Sequence, residues 1–310
     1  MRIVFLGSGS FAIPCFEALV EAGHDLAALV TQPDREKGRG RGLAPPPLKP
    51  VSEGRGVPVL QPRKVREPEA QEALRALRPE LQVVVAFGQI LPRSVIDIAP
   101  LGTVNVHASL LPRLRGAAPI QWAIATGENE TGVTTMLIDE GLDTGPILLQ
   151  RGTPIVPEET AAELEPRLAR LGAELLLETV RGLGESRLRP TAQDHTRATL
   201  APLLKKEDGR VDWSQAASVL ARRARGFSPW PGAFTTHDGR QLKLLHVRPT
   251  DARAGGAPGT VLEVGAGGVV VACGEASAVV LLEVQAESRR AMPAPAWASG
   301  ARVHLGVRLG

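Results

Sequence analysis

The first thirty residues of the chain place strict limits on its fold. Residues 2–6 are an unbroken apolar run, and Gly7-Ser-Gly9 follows as a tight turn. Residues 11–22 carry apolar side chains at helical spacing, and residues 26–30 form a second apolar run. Strand, glycine turn, helix and strand in this order make a βαβ unit, whose two strands lie parallel. The opening of the chain therefore predicts an α/β fold built on an open, mostly parallel, Rossmann-like sheet.

The Gly7-x-Gly9-x-x-Ala12 spacing is also found in dinucleotide-binding folds. In those folds an acidic residue near the end of the second strand binds the ribose. Here the second strand ends in Thr31-Gln-Pro33, and Asp34 follows only after the proline. A nicotinamide-dependent oxidoreductase is therefore a weak alternative, and binding of a phosphate or another anion at the helix N-terminus is left open.

The hydrophobic pattern changes along the chain. Residues 81–87 form an apolar run typical of a central parallel strand, and residues 158–180 predict a long amphipathic helix. Beyond residue 232 the pattern changes to short strands separated by glycine turns, with His237-Asp-Gly239 as a hairpin turn. Such strands predict a small β-barrel, and oligonucleotide-binding (OB-like) barrels are one class of these. We therefore predict a first domain over 1–185, a linker over 186–206 and a β-barrel domain over 207–310.

Charge is distributed unevenly along the sequence. The whole chain carries a formal net charge of +3. Residues 205–310 hold 14 basic and 9 acidic side chains, whereas the preceding part is slightly acidic. An excess of positive charge in the second part favours an anionic partner such as a nucleic acid. A solvated surface rich in arginine explains the same count equally well.

Cysteine usage and hydropathy bear on the cellular compartment. Cys15 and Cys273 lie far apart and match no metal-ligand spacing. We expect both to be buried free thiols in a reducing compartment. The sequence shows no signal peptide and no apolar run long enough to span a membrane. A cytoplasmic location is therefore expected.

One stretch, residues 102–116, carries the strongest indication of chemistry. Thr103-Val-Asn-Val-His107 alternates, so in a strand Asn105 and His107 project from one face. An amide and an imidazole on one face can both donate to an oxygen that gains negative charge during attack on a carbonyl. Asp143 follows in a glycine-broken loop and is a candidate to work beside His107. A histidine in an ordinary core hydrogen bond and an asparagine at a turn are the simpler explanation of the pattern alone.

Residues 33–47 combine basic side chains, glycines and a triple proline. Arg35, Lys37, Arg39 and Arg41 alternate with glycine or acidic residues before the prolines. A segment of this composition buries little surface and is expected to be mobile in the free protein. It is either a solvated surface loop or a basic flap that becomes ordered on a phosphate backbone.

Six separate motifs are spread over nearly the whole chain and both predicted domains. They are Thr31-Gln-Pro-Asp-Arg35, Asn105-x-His107-x-Ser-Leu-Leu-Pro112, Arg115-Gly-Ala-Ala-Pro-Ile-Gln121, Asp139-x-Gly-Leu-Asp-Thr-Gly145, Val211-Asp-Trp213 and Phe227-x-Pro-Trp-Pro231. The second motif with the later aspartate resembles folate-dependent formyltransferases in general. Together with the basic loop and the Phe-x-Pro-Trp-Pro motif, the set resembles one family, the methionyl-tRNA formyltransferases.

The resemblance implies a reaction and catalytic residues. The formyl group of 10-formyltetrahydrofolate would pass to the amino group of methionine on initiator methionyl-tRNA. Asn105 and a protonated His107 would stabilise the negative oxygen, and Asp143 would favour the charged imidazole and accept or relay the amine proton. The exact proton route is left unassigned. No metal is implied, and the chain is expected to be a monomer.

The resemblance also implies binding residues. Folate would lie along Phe87, Gly88, Gln89, Ile90 and Leu91, along Ser109, Leu110, Leu111 and Pro112, and beside Asp139. The tRNA would contact Arg35, Lys37, Arg39, Arg41, Lys205, Lys206 and Arg210, mostly through phosphates. A rival within the same fold class is folate-dependent formyl transfer to a small amine, which would need neither the basic loop nor the barrel.

Overall fold

The computed structural model of the chain describes residues 1–37, 42–250 and 255–310. The chain forms two compact units, each made of three segments. The first unit comprises Met1–Gly116, Glu130–Pro154 and Glu165–Ala201, and the second comprises Ala117–Asn129, Ile155–Leu164 and Pro202–Gly310.

Helices and strands alternate in the first half of the chain, and strands dominate the second. In chain order these elements are β1 (Arg2–Gly7), α1 (Ile13–Glu21), β2 (Asp25–Val30), β3 (Arg35–Lys37), β4 (Gly42–Ala44), α2 (Leu48–Gly54), β5 (Val59–Leu60), α3 (Pro68–Ala76), β6 (Leu81–Val85), α4 (Arg93–Ile96), β7 (Thr103–His107), α5 (Pro119–Thr126), β8 (Glu130–Leu137), β9 (Ile147–Pro154) and α6 (Ala161–Gly184). They are followed by α7 (Ala217–Gly226), β10 (Ala233–His237), β11 (Arg240–Thr250), β12 (Val261–Gly265), β13 (Gly268–Ala272), β14 (Ala278–Ala286), β15 (Met292–Pro293) and α8 (Ala294–Gly300).

The first unit is built on a seven-stranded sheet with the order β5-β2-β1-β6-β7-β8-β9. The strands from β5 to β7 pair in parallel, and β8 and β9 continue the sheet antiparallel. The prediction of a mostly parallel sheet is thus confirmed. The chain builds the sheet outward from β1 in one direction and then from β6 in the other. In open α/β sheets ligands bind beyond the carboxyl ends of the strands at such a reversal.

Close packing explains the glycine that ends β1. A Cβ atom at Gly7 would lie 2.7 Å from the ring of Phe5 and 2.9 Å from the carbonyl oxygen of Val85. Gly7 and Val85 are direct partners in the pairing of β1 with β6. The first glycine of the dinucleotide-like spacing is therefore explained by strand packing alone.

The second unit carries a six-stranded antiparallel sheet with the path β10-β11-β14-β13-β12 and β15 on β14. The hairpin predicted at His237-Asp-Gly239 joins β10 to β11, and Asp238 and Gly239 both have positive φ, as a two-residue hairpin turn requires. Among the residues that the structure describes, no ladder joins β10 to β12. The observed architecture is thus a separate antiparallel sheet, and the finer description as an OB-like barrel exceeds what these pairings establish.

Two contacts within the second unit join residues that are far apart in the sequence. The ring of Trp122 packs edge-to-face on Phe227, with centroids 5.3 Å apart. The helix α7 begins at Ala217, whose backbone N–H donates to Ser277 Oγ at 2.9 Å. In both cases a partner distant in sequence determines the contact.

The two cysteines are free and buried, as predicted. Burial raises the pKa of Cys15 to about 12 and that of Cys273 to about 11. Both thiols therefore stay protonated at neutral pH. No helix in the described part of the chain combines the length and the hydropathy that crossing a membrane requires.

Candidate active site

The alternation of β7 places its polar side chains on one face. Val104 and Val106 are buried on the opposite face, at 0% and 3% exposure. Asn105 is partly exposed, and His107 is only 6% exposed. Both polar side chains lie beside the same residue, Asp143, so the three side chains form one cluster.

Asp143 lies at the centre of this cluster. Its Oδ1 accepts from Asn105 Nδ2 at 3.4 Å, and its Oδ2 accepts from the backbone N–H of Gly116 at 2.8 Å. His107 Nδ1 lies 3.7 Å from the same Oδ2. The Asp143 backbone has a φ of +51°, in the left-handed region that aspartate tolerates better than most residues. Three segments distant in sequence thus meet at one carboxylate.

The second nitrogen of the imidazole has a fixed partner. His107 Nε2 lies 2.9 Å from the carbonyl oxygen of Leu114. A carbonyl oxygen only accepts, so Nε2 carries a hydrogen and donates it. Nδ1 faces the carboxylate at a distance longer than a hydrogen bond, and this leaves Nδ1 able to bond to a third group. The cluster can therefore polarise a carbonyl oxygen and move a proton. No group of three or more His, Cys, Asp or Glu side chains within the described ranges is arranged to hold a metal ion.

The stretch predicted to bind folate after β6 divides into buried and exposed residues. β6 ends at Val85 rather than at residue 87, because Ala86 turns the chain with a φ of +47°. Phe87 and Leu91 then pack in the core of the first unit. Gly88 is exposed, and Ile90 is 93% exposed. Only part of this stretch therefore presents side chains to a ligand.

Hydrogen bonds tie this stretch to the neighbouring loops. Gln32 Nε2 donates to the Phe87 carbonyl at 3.0 Å, and Ser8 Oγ donates to the same oxygen at 3.4 Å. Gln89 Oε1 accepts from the backbone N–H of Val65 at 2.7 Å. Gln32 was not predicted as a site residue, although it lies in the Thr31-Gln-Pro-Asp-Arg35 motif. The ends of β1, β2 and β6 are thereby connected.

The loop after β7 is held against β8. Ser109 is fully buried, and its carbonyl accepts from Thr134 Oγ1 at 2.6 Å. Leu111 is also buried, and its backbone N–H donates to the same hydroxyl at 3.1 Å. Leu110 lies against β8, and Pro112 is half-buried. Backbone groups at both ends of the Ser109–Leu111 stretch are thus tied to β8 through one hydroxyl.

The 139–145 loop is stabilised from within. Asp139 Oδ1 accepts from the Gly141 N–H at 3.0 Å and from Thr144 Oγ1 at 2.7 Å. A Cβ at Gly141 would lie 1.9 Å from Thr144 Oγ1, so a side chain is excluded there. Leu142 is 61% exposed, an apolar side chain next to Asp143.

Four of the predicted RNA-contacting residues are exposed: Arg35, Lys205, Lys206 and Arg210. Arg35 is exposed, and its guanidinium donates to Gln32 Oε1 at 3.1 Å. Lys37 ends the short strand β3, which pairs antiparallel with β4. Three further basic residues are exposed in the second unit: Lys205, Lys206 and Arg210. Two predicted contacts, Arg39 and Arg41, lie outside the described residues.

Sequence analysis missed a group of site residues in the stretch assigned to the linker. Gln193 is 6% exposed and donates to the carbonyls of Asp143 and Gly145. Arg115, equally buried, donates to Gln193 Oε1 through Nε and Nη2. Thr199 accepts from the Leu114 N–H. Residues 186–206 show no periodicity, and the only indication in the sequence was Arg115 in the Arg-Gly-Ala-Ala-Pro motif.

Two family models match the chain. The model described as formyl transferase matches residues 1–180. The model described as formyl transferase, C-terminal domain, matches residues 203–302. The residues matched by the first model include Asn105, His107 and Asp143.

Proteins named methionyl-tRNA formyltransferase are similar to the chain over its full length. The protein of Solibacter usitatus is 53% identical over 310 residues, which cover 100% of this chain and 99% of that protein. The protein of Citrifermentans bemidjiense is 50% identical over 310 residues and covers 100% of this chain and 96% of its own. The similarity therefore extends through both units.

Solved structures with lower sequence identity share the fold. An N-formyltransferase of Helicobacter canadensis, in complex with folinic acid and dTDP-3-aminofucose, has a TM-score of 0.69 at 16% identity, covering 93% of this chain and 100% of that one. HypX of Aquifex aeolicus, in complex with tetrahydrofolic acid, has a TM-score of 0.64 at 20% identity, covering 98% of this chain and 48% of HypX.

Proposed function

Because the chain belongs to the formyl transferase family, we propose that it transfers the formyl group of 10-formyltetrahydrofolate to the amino group of methionine on initiator methionyl-tRNA. The observation that carries this proposal is the full-length similarity to proteins named for that activity. The cluster of Asn105, His107 and Asp143 supports it, because an amide, an imidazole and a carboxylate meet at one point.

Asn105 and His107 stabilise the formyl oxygen in the proposed reaction. The neutral amine attacks the formyl carbon, a new carbon–nitrogen bond forms, and negative charge develops on the oxygen. Asn105 Nδ2 and the protonated Nδ1 of His107 donate to that oxygen. Nδ1 is the nitrogen available for this role, because Nε2 donates to Leu114. The bond from the formyl carbon to folate N10 then breaks, and N10 gains a proton.

Asp143 orients this chemistry. Its Oδ2 is held by the Gly116 N–H and lies 3.7 Å from His107 Nδ1, the nitrogen that donates to the formyl oxygen in the proposed reaction. The amine must lose a proton after the attack, and Asp143 accepts it directly or through water. The side chain is 16% exposed, so solvent reaches it.

The fit to a reduced folate rests on the exposed apolar side chains at the carboxyl ends of the strands. Ile90 and Leu142 are exposed beside Gly88 and Asp139, and apolar side chains of this kind cover the faces of a flat heterocycle. Backbone groups along residues 87–92 and 109–112 bond to the pterin edge. The donor substrate supplies an activated formyl group.

The second unit and the basic loop bind the tRNA. Lys205, Lys206 and Arg210 are exposed to solvent, as phosphate-binding side chains are. Arg35 contributes at the base of the basic loop, and Lys37, Arg39 and Arg41 extend the contact along it.

Finer features are part of the same proposal. The antiparallel sheet closes into an OB-like barrel with the help of the C-terminal segment. This is supported by hydrogen bonds from Gly310 N to Thr236 O in β10, 3.0 Å, and from Val261 N in β12 to Val307 O, 2.8 Å. The proposed domains are 1–185 and 207–310, and most of the stretch 186–206 assigned to the linker, up to Ala201, belongs to the first compact unit. The protein acts as a cytoplasmic monomer without a metal.

The test is formyl transfer from 10-formyltetrahydrofolate to charged initiator methionyl-tRNA, with free methionine as the control acceptor. We expect transfer to the tRNA, and a loss of about a hundredfold or more in His107→Ala, since one donor to a developing oxyanion contributes that much. Transfer to a small amine but not to the tRNA would support the rival activity and contradict the proposed one.

A further inference from the structure

The residues 193–201 run alongside the loop that carries Leu114, Arg115 and Gly116. The Arg115 N–H donates to the carbonyl of Thr199 at 2.9 Å, and the Ala201 N–H donates back to the carbonyl of Arg115 at 2.7 Å. All these residues belong to the first unit. Leu114 and Gly116 are the residues whose backbone groups hold His107 and Asp143. The 193–201 segment is therefore linked to both catalytic side chains through a single intervening loop.

Gln193 uses its full hydrogen-bonding capacity in this arrangement. Its Oε1 accepts from Arg115 Nε at 3.1 Å and from Nη2 at 2.6 Å. Its Nε2 donates to the carbonyls of Asp143 and Gly145, both at 2.8 Å. A guanidinium only donates and a carbonyl only accepts, so only one orientation of the amide satisfies all four bonds. Gln193 is 6% exposed, and removing it would take away a buried partner from the Asp143 and Gly145 carbonyls and from Arg115 Nε.

The bonds from Gln193 hold Asp143 at a strained position in the chain. Asp143 has a φ of +51°, and its carbonyl and that of Gly145 both point to the Gln193 amide. Fixing these two carbonyls fixes the direction of the Asp143 side chain between them. A left-handed residue is held in place only when its surroundings determine it.

Thr199 holds the backbone that bonds to the His107 imidazole. Its Oγ1 accepts from the Leu114 N–H at 2.9 Å, and the Leu114 carbonyl accepts from His107 Nε2. Leu114 also has a positive φ, +59°. The hydroxyl of Thr199 therefore holds the backbone of Leu114, the residue whose carbonyl selects the nitrogen presented by His107.

We propose that Gln193 and Thr199 are positioning residues of the active site, Gln193 for Asp143 and Thr199 for His107. The inference rests on the proposed function, because it assigns these residues a part in formyl transfer. Neither residue touches the reacting atoms. Their effect is on the geometry in which the carboxylate and the imidazole meet the substrates.

The variants Gln193→Met and Gln193→Glu separate this role from a simple pairing with Arg115. Gln193→Glu keeps an acceptor for the guanidinium but places a carboxylate oxygen against the carbonyls of Asp143 and Gly145. We expect both variants to lower kcat by about tenfold to a hundredfold, with KM for the tRNA changed by less than about threefold, as for a small misplacement of a catalytic group. Activity of Gln193→Glu equal to that of the wild type would overturn the role at Asp143.

Thr199 provides the variant that is expected to fold, because its side chain is exposed. Thr199→Val removes the acceptor and should lower kcat, whereas Thr199→Ser keeps the hydroxyl and should restore it. Thr196→Val is the matched control, since the Thr196 hydroxyl donates to Asp194 and not to the 112–116 loop. Equal kcat values for the valine and serine variants at position 199 would overturn the role at His107.

Hydrogen exchange at Gly116 separates failure of this inference from failure of the proposed function. The Gly116 N–H is bonded to Asp143 Oδ2, and its exchange reports the position of the carboxylate without any substrate. We expect faster exchange in Gln193→Met than in the wild type, and an unchanged rate in Thr196→Val. If the wild-type protein does not formylate the tRNA, the proposed function fails, while the exchange rates still support or overturn the positioning of Asp143.

Discussion

The polar groups of the candidate active site and the predicted RNA-contacting residues differ in almost every physical respect. His107 is 6% exposed, and the neighbouring Gln193 has a partner for each of its hydrogen-bonding positions. Lys205 and Lys206 are exposed near the start of the last segment of the second unit, Pro202–Gly310. Buried hydrogen bonds fix the side chains of the candidate active site, whereas the predicted RNA-contacting residues are charged side chains in contact with solvent.

The difference follows from what each region has to recognise. Donors to an oxygen that gains charge during the reaction are effective only if they are oriented beforehand, and burial with fixed partners achieves this. Phosphates are recognised through charge and the release of counterions, which requires long side chains in water rather than one geometry. Substitutions in the first region should therefore change kcat, and those in the second should change the dependence of tRNA binding on salt.

The largest effect should come from Asp143→Asn. Asparagine has the same shape and can still accept from the Gly116 N–H, so the fold should be retained. It carries no charge to face His107 and cannot take up the amine proton. We expect kcat for formyl transfer to fall by about a hundredfold to ten-thousandfold, the range typical of a lost proton-transfer group. Asp97→Asn, which breaks the exposed pair with Arg93, is the control and should leave kcat unchanged.

A kcat of Asp143→Asn close to that of the wild type would show that the carboxylate has only a structural role. The thermal midpoint of both variants, followed by circular dichroism, establishes whether the comparison is between folded proteins.

Neutralising Lys205 and Lys206 should have an intermediate effect. In Lys205→Gln and Lys206→Gln we expect a higher KM for the tRNA at low salt and an unchanged kcat. The slope of log affinity against log salt should decrease by about 0.7 to 0.9 for each phosphate that the variant no longer neutralises. Lys64→Gln, an exposed lysine in the first unit, serves as the control. Equal salt slopes in the three variants and the wild type would show that Lys205 and Lys206 do not contact the phosphates of the tRNA.

The smallest effect is expected for Asp34→Asn, at the base of the basic loop, and it concerns thermal stability rather than catalysis. Asp34 accepts from Gln61 Nε2 at 2.7 Å and from Lys49 Nζ at 3.0 Å, and these bonds lower the pKa of its carboxyl. A carboxyl whose pKa is lower in the folded state adds stability above its unfolded pKa, and this is lost as pH falls through the folded pKa.

We therefore expect Asp34→Asn to melt slightly below the wild type at pH 7. The two melting curves should converge in acid, below the ordinary pKa of about 3.9 for aspartate. A difference in thermal midpoint that stays constant from pH 7 into acid would contradict the ion pair as its cause. Because the pair is at the surface, kcat should be the same in both proteins.

Short-range patterns predicted several elements of the fold and part of the site. The Asp238-Gly239 turn followed from two adjacent residues that tolerate positive φ. The strand β7 followed from the alternation of residues 103–107, and with it the common face of Asn105 and His107. In these cases the deciding interaction lies within a few residues of the chain, where the sequence pattern expresses it directly.

Features that the sequence analysis did not predict have the opposite property. The N-terminus of α7 is bonded to Ser277, 60 positions away from Ala217, and Trp122 packs on Phe227. Gln193 reaches Asp143 across 50 positions, from a stretch that shows no periodicity. No local pattern marks such residues, because what selects them is a partner that only folding brings near.

By itself, the sequence determined the mostly parallel sheet, the hairpin and the candidate trio of Asn105, His107 and Asp143, the last through motifs of a known family. Only the tertiary structure decided which nitrogen of His107 faces Asp143 and which residues of the predicted folate stretches are buried. It also decided that residues 193–201 bond to the loops that carry Leu114 and Asp143. The physical reason is that hydrogen-bond partners and burial are properties of groups close in space, and the chain order of a sequence records neither.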